Sequence, residues 1–209
     1  MLDRQRDGRW PLAAGGSGPQ ARSASLRGPA FGRATLPAMS TERHAPTADD
    51  SAVALSIRQA EPGDARLVLE LTVAGYVEYR GVLEPESGVF GETVGRVRAW
   101  LERGGGFLAS VGDEPAGCVR WSLADDRSYL YIGRLAVLPA WRGRGIAKAL
   151  MAACERRASE LGIDEVRIGV RIALPRLRAM YERLGYEAFD EEVREGYGPI
   201  ATWMRRRLG

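Results

Sequence analysis

Between Leu135 and Met151 an apolar run passes through Pro139 and a glycine-rich turn straight into a stretch with helical periodicity, and this passage constrains the chain more than any other. Leu135-Ala136-Val137-Leu138 reads as the end of a strand. Downstream, Ile146, Leu150, Ala153, Cys154 and Leu161 recur at helical spacing, which predicts an amphipathic helix with one buried face. Arg142, Gly143, Arg144 and Gly145 form the turn between them. The first N–H groups of a helix have no intrahelical acceptor and the dipole there is positive, so this is the layout of an anion site. Glycines at 143 and 145 let backbone amides meet an anion directly and supply dihedrals that other residues rarely adopt, while Ala147 keeps the first turn small. A diphosphate suits such a turn.

Two common nucleotide sites are excluded by the letters. A dinucleotide fingerprint needs a third small residue where Lys148 stands, and a phosphate loop needs Gly-Lys followed by Ser or Thr, which the chain lacks. What matches is an Arg/Gln-x-x-Gly-x-Gly/Ala signature, Arg142-Gly143-Arg144-Gly145-Ile146-Ala147, preceded by Leu-Ala-Val-Leu-Pro. With it the chain resembles the GNAT family of N-acetyltransferases. A second segment, Arg178-Ala179-Met180-Tyr181-Glu182-Arg183-Leu184-Gly185-Tyr186, is similar to the family's tyrosine-bearing helix followed by Leu-Gly-aromatic. The resemblance runs from about Leu55 to Leu208.

The resemblance implies a mixed α/β fold, with a central, mostly antiparallel sheet flanked by helices and two strands that splay apart at the cofactor site. In that arrangement the pantetheine arm of acetyl-CoA lies as a pseudo-strand against the backbone of Leu135, Ala136 and Val137. Its pyrophosphate rests on the turn made by Arg142, Gly143, Arg144, Gly145, Ile146 and Ala147. The side chains of Arg142 and Arg144 either add charge there or face solvent.

The implied reaction is direct transfer of an acetyl group to a primary amine of a small molecule or protein. Tyr181 stands where the family places a hydroxyl near the thioester sulfur, and is the expected acid for the leaving thiolate. Its spacing from Leu177 and Leu184 also suits simple packing. Glu78, Glu84, Glu86 and Glu92 cluster in the segment that walls the acceptor pocket in this family, where they suit a cationic amine or its deprotonation. Tyr129 and Tyr131 alternate to one face of the strand leading to the turn. The chain departs from the family at Leu174-Pro175-Arg176-Leu177, where an asparagine is common and none occurs. The rival reading is therefore a non-catalytic acyl-CoA-binding module with the same fold.

Along the chain, Val53–Ala60 reads as a strand. Asp64 opens a helix whose buried stripe is Leu67, Leu71 and Ala74, and a second helix fits residues 92–103. Gly104-Gly105-Gly106 ends it. Residues 107–111, 116–123 and 129–138 predict an antiparallel meander, followed by the motif helix and a strand over 165–173. A helix over 175–184 is closed by Gly185, and final strands lie near 186–189 and 200–205, with a loop over 190–199.

Residues 1–50, rich in Arg, Gly, Ala, Pro and Ser, show no apolar periodicity and predict a disordered arm ahead of a domain over 53–208. Met39-Ser40-Thr41-Glu42 reads like a start, so residues 1–38 are a candidate overlong gene start. Six arginines against two aspartates give that stretch +4, leaving −1 of the chain's +3 for the rest. The globular part thus has no basic footprint, and nucleic acid is not an expected partner. No apolar run reads as a signal or a membrane span. Cys118 and Cys154, the two cysteines, fall in apolar stretches and read as buried free thiols of a cytoplasmic protein. His44 is the single histidine and lies in the arm, so neither a histidine base nor a metal site is expected. Both a monomer and a homodimer fit these features.

Overall fold

A computed structural model describes residues 54–209; the predicted arm, Val53 and the candidate start at Met39 lie outside the described residues. The chain runs β1 (Leu55–Gln59), α1 (Ala65–Tyr76), α2 (Val94–Arg103), β2 (Gly105–Val111), β3 (Glu114–Leu123), β4 (Leu130–Val137), α3 (Ile146–Glu160), β5 (Glu165–Arg171), α4 (Pro175–Arg183), β6 (Glu187–Arg194) and β7 (Gly198–Arg207). The strands form one sheet in the order β1-β2-β3-β4-β5-β7-β6. Every pair is antiparallel except β4–β5. This is the mixed α/β sheet that the sequence predicts.

Alternation along the strands sends side chains to two cores. On one face Val119, Trp121, Leu130, Ile132, Val166, Ile168 and Met204 pack on Ile146, Leu150, Met151 and Cys154 of α3. On the other, Leu108, Cys118 and Ala136 receive Val68 and Leu71 of α1 and Val97 and Leu101 of α2. Each fully buried leucine or methionine contributes about 1.5–3 kcal/mol. The helix carrying the glycine turn is therefore anchored along its length.

The expected stripe of α1 is corrected: Ala65, Val68, Leu71, Thr72 and Gly75 are buried, whereas Leu67 is half-buried and Ala74 exposed. Small and polar letters occupy the inner face. Thr72 is satisfied by donating to the Val68 carbonyl at 2.6 Å and lies 3.4 Å from the Cys118 thiol. Helix α2 begins at Val94, capped by the Thr93 hydroxyl accepting from the Arg96 N–H at 3.3 Å, so Glu92 precedes the helix. Strand β2 starts at Gly105, paired with Trp121. The loop expected over 190–199 is also corrected, since β6 and β7 form a long hairpin through Arg194 and Gly198. Strand β6 is a charged, exposed edge with no alternation for the sequence to display.

Two irregularities in β4 shape the site. Parallel pairing to β5 covers only Leu130–Ile132 against Val166–Ile168, and beyond it the two strands part. Pairing to β3 slips between Gly133↔Arg120 and Ala136↔Cys118, so two residues, Arg134 and Leu135, oppose Val119. Arg134 takes a left-handed φ of 55° at this bulge.

Candidate active site

The turn between β4 and α3 begins with a helical twist over Pro139–Trp141 and continues through Gly143 and Gly145, at φ of 77° and 79°. A Cβ at either glycine would meet nothing within 4 Å, so the backbone conformation, rather than crowding, requires glycine. The first bond of α3 runs from the Ala149 N–H to the Gly145 carbonyl at 3.0 Å. The amides of Ile146, Ala147 and Lys148 precede it and have no helical acceptor.

The arginines of the turn do other work. Arg142 donates to the Val137 carbonyl at 3.2 Å and the Gly75 carbonyl at 3.0 Å, and pairs with Glu78 at 2.7 Å. Arg144 stacks on the Trp141 ring at 4.9 Å. The Arg142 side chain is thus not the free anion ligand that the sequence left open, while Arg144 is exposed. Arg142 instead ties the end of α1 to the turn.

Leu135, Ala136, Val137, Arg142, Gly143, Gly145, Ile146 and Ala147 line one cleft of about 1080 Å³, which also takes in Tyr181; Arg144 is not among its walls. The cleft continues past the splay to Tyr76, Glu86, Trp100 and Tyr131. On its wall Glu92 bridges two arginines, accepting from Arg120 at 2.6 Å and from Arg134 at 2.9 Å. Arg120 is 1% exposed, Glu92 10% and Arg134 25%. Burial holds the Arg120 guanidinium below its ordinary range, against the pull of Glu92. Its other face lies 4.9 Å from the Trp100 ring.

Sequence reasoning missed Arg120 and Arg134. A signal existed for the first, a lone arginine inside Cys118-Val119-Arg120-Trp121. For the second, the bulge is invisible before the strands pair.

Tyr181 is buried, and its ring meets that of Tyr186 at 5.9 Å, with Leu177 and Leu184 packed on the same core. The two alternatives for this residue are thus compatible, since the ring packs while the residue lines the cleft. Burial first, then the neighbouring phenols of Tyr76, Tyr131 and Tyr79, raise its pKa above the usual 10.0. Tyr131 also lines the cleft, and a Cβ at Gly133 would stand 3.0 Å from its hydroxyl. Its ring contacts those of Trp100 and Trp203. Tyr129 instead lies under Arg167, 4.0 Å from the guanidinium, away from the cleft.

Of the four glutamates expected around the acceptor, the structure brings two to the cleft, Glu86 and Glu92. Glu78 is committed to Arg142. Glu84 is exposed, and its carbonyl, with that of Pro85, accepts from Arg171 at 2.7 and 2.8 Å. Glu92 is neutralised by its arginines, so it cannot serve a cationic amine as the sequence suggests.

Cys118 and Cys154 are buried free thiols. Burial pushes Cys118 up to about 11 and raises Cys154 as well. A thiolate is the reactive form, so an aromatic disulfide reagent is expected to label neither in the folded protein and both in denaturant. Rapid labelling of the native protein would show that one is accessible.

The acetyltransferase (GNAT) family model matches residues 76–186, more than half of the chain. The fold is shared with the PaiA N-acetyltransferase from Thermoplasma acidophilum in complex with coenzyme A, at a TM-score of 0.63 and 16% identity over 74% of this chain and 99% of that one. It is shared too with YncA of Salmonella typhimurium, solved with its cofactor acetyl-CoA, at 0.59 and 17% over 74% and 94%. An acetyltransferase from Thermus thermophilus gives 0.55 and 22% over 74% and 97%. This chain belongs to the GNAT acetyltransferase family. Among the described residues no helix is long and apolar enough to cross a membrane.

Proposed function

We propose that this protein is an N-acetyltransferase that moves the acetyl group of acetyl-CoA directly to a primary amine. One observation carries the reading: unpaired amides at the start of α3 and the parted edge of β4 open on the same cleft. A diphosphate at the first and an amide-bearing arm along the second use both sets of unpaired backbone groups. The backbone of Leu135, Ala136 and Val137 holds the arm. The turn from Arg142 to Ala147 holds the diphosphate through the amides of Gly143, Arg144, Gly145, Ile146 and Ala147, since that of Arg142 donates to the Pro139 carbonyl at 3.3 Å.

In the transfer, the amine nitrogen bonds to the thioester carbonyl carbon, the C–S bond breaks and coenzyme A leaves as a thiolate. Glu86, the cleft-lining carboxylate without an arginine partner among the described residues, accepts the amine proton directly or through water. Tyr181 donates to the departing sulfur. Its raised pKa keeps it protonated up to at least pH 10, so it supplies no alkaline limb to the rate. The same shift makes full proton transfer to a thiolate less favourable, which sets its contribution at the lower end of acid–base assistance. The catalytic domain is residues 53–208, the arm takes no part in it, and buried free thiols suit a cytoplasmic setting.

Tyr181→Phe keeps the packed ring and removes the hydroxyl. Turnover, read as thiol release over an amine panel, is expected to fall about 10²-fold, with acetyl-CoA affinity and Tm nearly unchanged. An unchanged kcat removes Tyr181 from the chemistry. Tight acetyl-CoA binding without transfer to any amine identifies instead the non-catalytic module.

A further inference from the structure

We infer that the amine accepted at this site also carries a carboxylate, making the acceptor an α-amino acid or a close relative whose carboxylate is received by Arg134 and Arg120. This rests on the acetyl-transfer reading and names its substrate class.

The charge on the cleft wall does not balance. Arg120 and Arg134 share the single carboxylate of Glu92, which leaves one positive charge over. Arg120 has an Nε that is buried without a partner, and Arg134 uses only its own Nε, with no acceptor at either Nη among the described residues. Buried cations are costly unless paired. A carboxylate brings the one negative charge that is missing, in the planar geometry that a guanidinium grips with two parallel bonds. A phosphate monoester brings nearly two charges and overshoots.

The backbone at Arg134 points the same way. A long side chain at a φ of 55° costs about 1–2 kcal/mol relative to glycine, and such outliers persist where the surrounding structure holds them for a purpose. Here the purpose is placement. Residue 134 stands just past the last β4–β5 pair, where the strands begin to part and the thioester end of a β4-bound arm falls.

Trp100 over Arg120 and Tyr131 beside Trp100 complete the wall with aromatic surface. These rings exclude water and strengthen the ion pair. They also suit an apolar side chain on the acceptor. A polyamine finds too few counterparts, because among the described residues the cleft offers one uncommitted carboxylate, Glu86.

The test compares thiol release with the common α-amino acids, their carboxamides, polyamines and phosphoethanolamine. Carboxamides have the less basic, more readily neutral amine, so a preference for acids cannot come from basicity. The expected result is a kcat/KM for the preferred acid at least about 30-fold above its amide. Arg134→Gln should erase most of that ratio through a raised KM for the acid, with acetyl-CoA affinity and Tm unchanged, and Arg134→Lys should restore part of it. Amides or polyamines used as well as the acids, or a ratio indifferent to Arg134, overturn the carboxylate assignment and leave the transfer reading intact. Preference for phosphoethanolamine replaces the carboxylate by a phosphate. Transfer to no amine at all removes both readings.

Discussion

Gly145→Glu is expected to abolish acetyl-CoA binding, with affinity falling at least about 100-fold while the domain stays folded. The fold survives because a Cβ at this position meets nothing within 4 Å. The left-handed φ of 79° costs a non-glycine residue about 1–2 kcal/mol, and a carboxylate at the start of α3 returns part of that by facing the positive end of the dipole. The same carboxylate sits where a diphosphate must approach. At about 4 Å and an effective dielectric of about 20, each added like-charge contact opposes binding by about 4 kcal/mol, more than the 2.7 kcal/mol that 100-fold represents. Gly145→Ala carries the backbone strain without the charge and should lose far less. Calorimetry on the two variants, with Tm as the check on folding, separates the terms. Unchanged affinity in folded Gly145→Glu moves the diphosphate away from this turn.

Glu92→Ala is expected to cost about 3–5 kcal/mol of stability, because it leaves the Arg120 charge buried and facing Arg134 without a counterion. Side-chain volume alone does not explain such a loss, and a second background distinguishes the two. In Arg120→Met the buried charge is gone, so the same Glu92→Ala change should cost only a fraction as much. Urea unfolding of the four proteins measures the difference. A loss below about 1 kcal/mol in the single variant means that water reaches the arginines and the cluster is not a buried charge site.

The glycine turn, the helix behind it and the tyrosine of α4 were legible because each is written in a continuous stretch of letters. Gly143 and Gly145 have the positive φ that their identity suggests, and Tyr181 reaches the cleft from the segment that marked it. The wall around Glu92 was not legible. It joins a loop residue to β3 and β4 across 28 and 42 positions, through a register slip that exists only after the strands have paired. The inner face of α1 was missed for another reason: Leu67, Val68, Leu69 and Leu71 are all apolar and leave the phase of the stripe open, while Thr72 and Gly75 on the buried face carry no apolar signal. Likewise β6, the outer strand of the hairpin, is an edge whose charged residues carry no alternation.

The slip at Arg134 has a further consequence for how the chain tolerates change in length. Before it, Leu130 and Ile132 face α3. After it, Ala136 faces α1 and Leu135 and Val137 face the α3 core. The extra residue resets the parity of the strand, and thereby brings a methyl group, rather than leucine or valine, to the place where α1 comes closest. There a Cβ on Gly75 would stand only 2.9 Å from that of Ala136. Exchange of the side chain at 134 leaves this phase alone. Pairing the same residues without the slip would turn Leu135 toward Gly75 and Ala136 toward α3, jamming one interface and hollowing the other, whereas loss of one bulge residue would leave Ala136 opposite Cys118 and both cores in phase, so the bulge is the place where this strand can change in length.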